Sequence, residues 1–336
     1  MDSVCRLMTG LLLMALSGIP GVECLGADDD LMEKARQHFG VVSLPDQDEL
    51  NRPIVLLGQK LFWDSRLSVH GEIACASCHL PQDGSADRRE FSLDARNKLT
   101  KRNSQPVFNA ALQPFLRWTA DRPDAADQAM GSLTGSMGWG KAQDVLPVLQ
   151  KAGYEELFTR AFPEAAVKVT VPQIGAAISA YEKTLMTTSK WDDYLRGQAD
   201  ALTQQELRGL RLFIETGCTN CHHGALLGGN ERERFGITAP YWTETKSTKI
   251  DEGLYQSTMK EEHKYVFRVP MLRNIALTSP YYHDGSVKSL PETIRIMGQL
   301  QLGVSLKPEE LQDLEAFLKT LSGKVPENYR QPDFSN

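Results

Sequence analysis

The chain has 336 residues, 41% of them hydrophobic and 24% charged, with a net charge of −6. That length admits two compact domains, and the composition is that of a soluble globular protein. The acidic balance argues against nucleic acid as a partner and permits a basic electron-transfer protein.

Residues 1–26 read as a secretory signal. Arg6 precedes the apolar run Leu11-Leu12-Leu13-Met14-Ala15-Leu16, which is too short to span a bilayer, and small residues near Gly26 suit cleavage before Ala27. A retained anchor is the alternative. Cleavage also removes Cys5 and Cys24; Glu23 sits where a lipoprotein signal would place a small residue. The remaining cysteines all fall in two pentapeptides, Cys75-Ala-Ser-Cys78-His79 and Cys218-Thr-Asn-Cys221-His222. Two thiols at this spacing can both bond the vinyl groups of one haem, and the following histidine then lies beneath the iron. Two covalent c-type haems are expected, with His79 and His222 as proximal ligands. A zinc finger would want its ligands closer in sequence, and a thioredoxin-like pair needs no following histidine. Export together with c-type haem points to a bacterial periplasm.

Between and beyond the motifs the pattern is helical. Ile174, Ala177, Ile178, Tyr181 and Leu185 share a face of a helix expected over 172–185, and a polar stretch then places a domain boundary near residue 188. Thr203-x-x-Glu206 has capping-box spacing, with Leu207, Leu210, Phe213 and Ile214 following and Gly217 closing the helix. Short strands are admissible between 225 and 270. Ser289 and Glu292 mark a helix start that brings Met297 near its end. Pro308 opens a last helix carrying Leu311, Leu314, Phe317, Leu318 and Leu321 up to Gly323. The expected fold is mainly α, with two cytochrome c-like haem domains at 27–188 and 189–325 and an irregular tail at 326–336.

The second axial ligand separates electron transfer from peroxide chemistry. Methionine opposite histidine raises the potential, while an open position admits peroxide. Met297 is the best candidate for the second haem, a core methionine being the alternative.

Beyond the motifs, Tyr265-Val-Phe-Arg268-Val-Pro-Met-Leu-Arg273-Asn274 and Thr278-Ser-Pro280-Tyr-Tyr-His283-Asp-Gly285 resemble the region after the second haem in bacterial dihaem cytochrome c peroxidases, a family that includes MauG-like enzymes. Leu61-Phe62-Trp63-Asp64, Arg66-Leu67-Ser68, Arg102-Asn103, Phe108-Asn109-Ala110 and Ile296-Met297-Gly298 extend the resemblance over most of 45–323, weakest between Gly84 and Leu99. It implies a low-potential peroxide site at the His79 haem and a high-potential electron-entry site at the His222 haem, with Met297 as ligand. It also implies Trp118 as an interdomain relay or a buried filler. Asn103, Thr278 and Pro280 would be calcium positions, an Asn side chain and backbone carbonyls being suitable hard oxygens. Turn stabilisation is the bland alternative.

Three departures qualify the resemblance. There is no histidine between Leu80 and Asn103 to cap the first haem, and His70 lies too near the motif to swing across, so an open first haem is expected. Counting from Gln128, the family's catalytic glutamate falls on Gly138, which carries no proton. MauG-like enzymes use tyrosine where this chain has Met297. Met137 and Trp139, near the expected peroxide pocket, are oxidisable substrates, ligands or wall. The function expected is periplasmic peroxide reduction with electrons from a cytochrome c or cupredoxin, in a possible homodimer. The alternatives are a MauG-like oxidase of a partner protein and a dihaem carrier or sensor.

Overall fold

The computed structural model describes residues 27–166 and 169–334; the expected signal, with Cys5 and Cys24, lies outside the described residues. Two helix crossings built on the same device organise the chain. In the first, the helix Pro53–Trp63 meets the helix Val171–Glu182 at Gly58, where an added Cβ would lie 1.9 Å from Ala177 O and 2.9 Å from Tyr181 Cβ. In the second, Gln204–Glu215 meets Pro308–Lys319 at Gly209, where it would lie 1.9 Å from Asp313 O and 2.8 Å from Phe317 Cβ. Any side chain there would force the axes apart. Four residues beyond each glycine comes a phenylalanine, Phe62 or Phe213, one turn along the same face. Their rings approach the motif histidines His79 and His222 at 6.3 and 6.4 Å. Sequence alone left a duplication unshown; the glycine crossings and the phenylalanines make the two halves structurally equivalent.

Local chemistry explains where these helices begin. Thr203 Oγ1 accepts from Glu206 N, and Glu206 Oε2 accepts from Thr203 N at 2.9 Å, which is the expected capping box. Thr170 caps the next N-terminus through Gln173 N, and Lys307 N donates to Glu310 Oε2 at 2.7 Å beside Pro308. Ser289 behaves differently from expectation. The helix does start after it, at Leu290–Met297, but its side chain makes no cap, and Glu292 is drawn into a pair with Arg295 at 2.8 Å. That helix continues into a π turn, Gly298–Leu302, with Met297 at the junction. The short strands Arg232–Arg234 and Val266–Arg268 pair antiparallel, Arg232 opposite Arg268. Among the described residues no helix is long and apolar enough to cross a membrane.

Each half has its own core. Leu57, Leu61, Phe62, Leu133, Ile174, Ile178 and Tyr181 belong to the first; Leu207, Leu210, Phe213, Trp191, Leu314 and Phe317 belong to the second. Burying side chains of this size stabilises by roughly 1.5–3 kcal/mol each. Packing divides the chain ends differently from the expected boundaries. Leu31, Met32 and Ala35, from the helix Ala27–His38, and Phe39 directly after it pack into the second core, with Phe39 edge-on to Trp191 at 5.3 Å. Tyr329, from the expected tail, is buried in the first core. The halves are therefore held together by exchanged ends, because an apolar stripe packs wherever a matching face is free rather than where the chain is nearest.

Side-chain ties reinforce the second half and its junction with the first. Arg273 forks onto Asp192 at 2.8 and 2.9 Å, both fully buried, and Asp192 also accepts from Val42 N and Ser189 N. Arg102 grips Asp251 with bonds of 2.7 and 2.9 Å across the halves.

Candidate functional site

Both pentapeptides fold as one 3-10 turn, Cys75–Ser77 and Cys218–Asn220, followed by the histidine. The two histidines are held alike. His79 Nδ1 is 3.0 Å from Ser85 O, and His222 Nδ1 is 3.0 Å from Leu227 O. A backbone carbonyl on Nδ1 fixes the tautomer and leaves Nε2 as a lone-pair donor, the arrangement a metal-bound imidazole needs. Burial lowers the affinity of both rings for protons against the pull of those carbonyls, His222 to about 4, so both are neutral at pH 7. Burial likewise pushes the Cys75 thiol up to about 12 and raises Cys78, Cys218 and Cys221. Thiols this reluctant to ionise are poor redox nucleophiles, which disfavours the thioredoxin-like reading. Among the described residues no cluster of three or more His, Cys, Asp or Glu has the geometry to hold a metal ion.

The two motifs open into one continuous cavity of about 610 Å³, within the size range of cofactor pockets. Cys75, His79, Cys218, Cys221 and His222 line it, as do Met297, Trp118, Gln128, Asn103, Thr278 and Pro280. Cys78 is the one motif cysteine outside the lining. Trp118 Nε1 donates to Asn103 O at 2.9 Å and the indole stands edge-on to His283 at 6.4 Å. Asn103 N donates to His283 O at 2.8 Å, and Asn103 Nδ2 donates to Arg89 O at 2.7 Å. Thr278 packs from the second half onto Gly84 of the first. The three calcium candidates all line this one cavity.

Gln128 is fixed at both ends of its amide. Arg117 Nε donates to its Oε1 at 2.6 Å, and its Nε2 donates to Ser132 Oγ at 3.2 Å. Arg117, Ser132 and Ser136 also line the cavity; sequence reading missed all three, since a serine or arginine outside a motif carries no signal. Burial, then the neighbouring Arg122, pulls the Arg117 guanidinium down.

Gly138 has φ +82°, and a Cβ there would lie 3.0 Å from Val69 Cγ1 and 3.3 Å from Ala95 Cβ. It is outside the cavity lining, so a side chain on this backbone would be strained and aimed at that wall. Met137 is buried in the first core and Trp139, packed against that core, donates to Leu67 O at 2.7 Å; neither lines the cavity. His70 is exposed and also lies outside the lining.

Glu182, also missed, is buried and lines the same cavity, and its carboxyl has no hydrogen bond or ion pair among the described residues. Burial alone pushes its carboxyl up to about 8. A sequence signal exists. Ile174, Ile178 and Glu182 fall four apart on one face, so a carboxylate interrupts an apolar stripe.

Comparison with known proteins follows this geometry. A family model described as di-haem cytochrome c peroxidase matches residues 52–200. The chain is 38% identical to cytochrome c551 peroxidase of Pseudomonas aeruginosa over 275 residues, 80% of this chain and 79% of that one. It is 35% identical to the Nitrosomonas europaea protein of the same name, covering 82% of each. The chain belongs to the dihaem cytochrome c peroxidase and MauG family. It is a peroxidase-like oxidoreductase, and the family's cofactor is haem c. MauG of Methylophilus methylotrophus is 26% identical over 82% of this chain and 85% of that one. Among solved structures, a MauG-like protein associated with microbial copper homeostasis superposes with a TM-score of 0.75 at 28% identity, covering 87% of this chain and 97% of that one. The diheme peroxidase BthA of Burkholderia thailandensis, at 19% identity and a TM-score of 0.68 over 87% and 90%, shares the mainly α haem fold.

The cavity suits that cofactor. Arg268 is buried with no carboxylate partner among the described residues, bonding Gln113 Oε1 and Arg117 O, and burial pulls it down to about 10. A buried cation without an anion is costly, and a haem brings two propionates. His283 Nε2 is likewise buried in the lining with no hydrogen-bond partner.

Proposed function

We propose that this chain is a periplasmic dihaem c-type peroxidase, reducing hydrogen peroxide to water with electrons from a small redox protein such as a cytochrome c or a cupredoxin. The observation that carries the reading is the pair of equivalent histidines, each with Nδ1 on a backbone carbonyl and both lining one cavity with Met297, Trp118 and Gln128. In this reading Cys75 and Cys78 hold one haem c and Cys218 and Cys221 the other, with His79, His222 and Met297 as iron ligands. When bound, haem iron supplies the redox chemistry, accepting electrons singly and delivering two to peroxide. Ser85 O and Leu227 O orient the two imidazoles. Gln128, its amide pinned by Arg117 and Ser132, hydrogen-bonds peroxide in the first cavity and orients it. Trp118 relays charge between the halves. Asn103, Thr278 and Pro280 hold a calcium ion that fixes their junction. Reduction consumes two protons per peroxide, and Gly138 carries none.

The test is intact mass followed by turnover. Two haem additions, together with peroxide-dependent oxidation of reduced cytochrome c, are the expected result. Two haems without turnover would leave a carrier or sensor. The likeness to a MauG-like protein, with 97% of that chain covered, favours one second reading, an oxidase that modifies a partner protein. A peroxide-dependent mass change in a co-purified partner would single it out.

A further inference from the structure

Among the described residues, 324–334 have no regular secondary structure, yet they are tied down along their length on the first half. Gln59 Nε2 donates to Asn328 O at 2.8 Å and to Arg330 O at 3.0 Å. Tyr181 Oη donates to Asn328 O at 3.1 Å, and Asn328 Nδ2 donates to Thr184 Oγ1 at 2.7 Å. Between these ties Tyr329 is 4% exposed, its ring 4.8 Å from Phe108, 5.4 Å from Trp63 and 5.9 Å from Phe62. Its hydroxyl donates to the backbone carbonyl of His79.

These contacts close a circuit around that histidine. Tyr329 holds the His79 carbonyl; the Tyr329 ring packs edge-on against Phe108. Phe108 N and Val107 N both donate to Ser85 Oγ at 3.0 Å, and Ser85 O holds His79 Nδ1. The imidazole is fixed through its backbone and its ring at once. The anchor comes from beyond the helix Pro308–Lys319, whose packing partner is in the other half.

We infer that the segment 324–334 is a strap, and that Tyr329 is a positioning residue for the proximal histidine of the first haem. This rests on the assignment of His79 as an iron ligand. A buried aromatic with its hydroxyl on the ligand's own carbonyl sets the depth and rotation of the imidazole, hence its bond to iron and the reactivity of the opposite face. Outer partners of this kind alter a metal site without touching the metal.

The experiment uses the full haem-loaded protein, Tyr329→Phe, Tyr329→Ala and a chain ending at Gly323. Haem content is read by mass, and the two haems separately by EPR and redox titration. Tyr329→Phe keeps the ring and removes only the hydrogen bond. It is expected to shift and broaden the first-haem EPR signal while the second-haem signal and the thermal midpoint stay close to wild type. The alanine and truncated chains are expected to change the first haem's reduction equilibrium about tenfold, which is about 59 mV for a one-electron couple. A strap that merely adds stability would lower the thermal midpoint and leave both signals in place, and that result overturns the inference. If truncation prevents folding, the phenylalanine variant still decides. A wild-type chain with no haem on Cys75 and Cys78 overturns the assignment beneath the strap, and the strap with it.

Discussion

Glu182→Gln isolates a buried carboxyl of the cavity that has no partner among the described residues. With burial as its sole perturbation, the folded-state carboxyl titrates at about 8 against 4.5 for the unburied group. Between those values the folded protein keeps a proton that the unfolded chain has released, so stability falls as pH rises through the window. The slope is about 1.4 kcal/mol per pH unit, and between 4.5 and about 8 it accumulates to a penalty on the order of 5 kcal/mol. Below pH 4.5 both states are protonated and the penalty vanishes. Glutamine fills the same volume and does not titrate. Urea midpoints of the haem-loaded wild type and Glu182→Gln, taken from pH 5 to pH 9, are therefore expected to diverge steadily, the variant gaining on the wild type as pH rises. Parallel profiles would refute the reasoning, showing that Glu182 ionises at an ordinary pH and has a counter-charge or water path in the folded protein. The functional corollary is a neutral carboxyl at pH 7, able to donate a hydrogen bond inside the cavity.

Met297→Leu removes the thioether from the second histidine's cavity. Loss of the His/Met low-spin signal and a lower potential at one haem only are expected by EPR and redox titration, and an unchanged spectrum would make Met297 a core residue. Asp192→Ala strands Arg273 in a site with no solvent access, at a cost of about 3–5 kcal/mol in the denaturant midpoint; a loss under 1 kcal/mol would mean water reaches the guanidinium. A calcium site made of Asn103, Thr278 and Pro280 includes no carboxylate, so its affinity is expected near the weak end, about 10⁻⁴–10⁻³ M, and a chelator should strip it and slow turnover with cytochrome c. Turnover indifferent to chelator and to added calcium would remove calcium from the mechanism.

What was legible in the sequence was what local chemistry dictates. Haem attachment fixes Cys-x-x-Cys-His in five consecutive positions, and a capping box fixes Thr203 and Glu206 within four, so these were readable without neighbours. Gln128 was readable only through a resemblance. Its partners Arg117 and Ser132 were not, because they reach it through side chains whose directions follow from the fold. Met137 and Trp139 looked close to the chemistry by position, yet the positive φ at Gly138 turns the chain and both side chains go to the core side. The tail misled for the opposite reason. Pro326, Pro332 and polar residues gave no periodicity, and nothing near Tyr329 announces a socket formed by Phe62, Trp63 and Phe108, more than 200 positions away.

The exchange of ends is reciprocal around the two histidine motifs. Tyr329, reached from the second half, holds the carbonyl of His79; His38, from the helix that packs into the second core, accepts from Gly224 N at 2.8 Å, two residues past His222. A cut near residue 188 leaves each half without its brace. In the fragment 27–188 the helix 27–38 loses the core that covers Leu31, Ala35 and Phe39, and the aromatic socket of the first half lies open. Exposed stripes of that size seek a partner. The two fragments, expressed together with haem, are therefore expected to co-purify as a complex with the native spectrum, and each alone to aggregate or to give an altered one. Soluble, monomeric 27–188 with the first haem's native EPR signal would show that the halves are autonomous and that the braces at His79 and His222 are incidental.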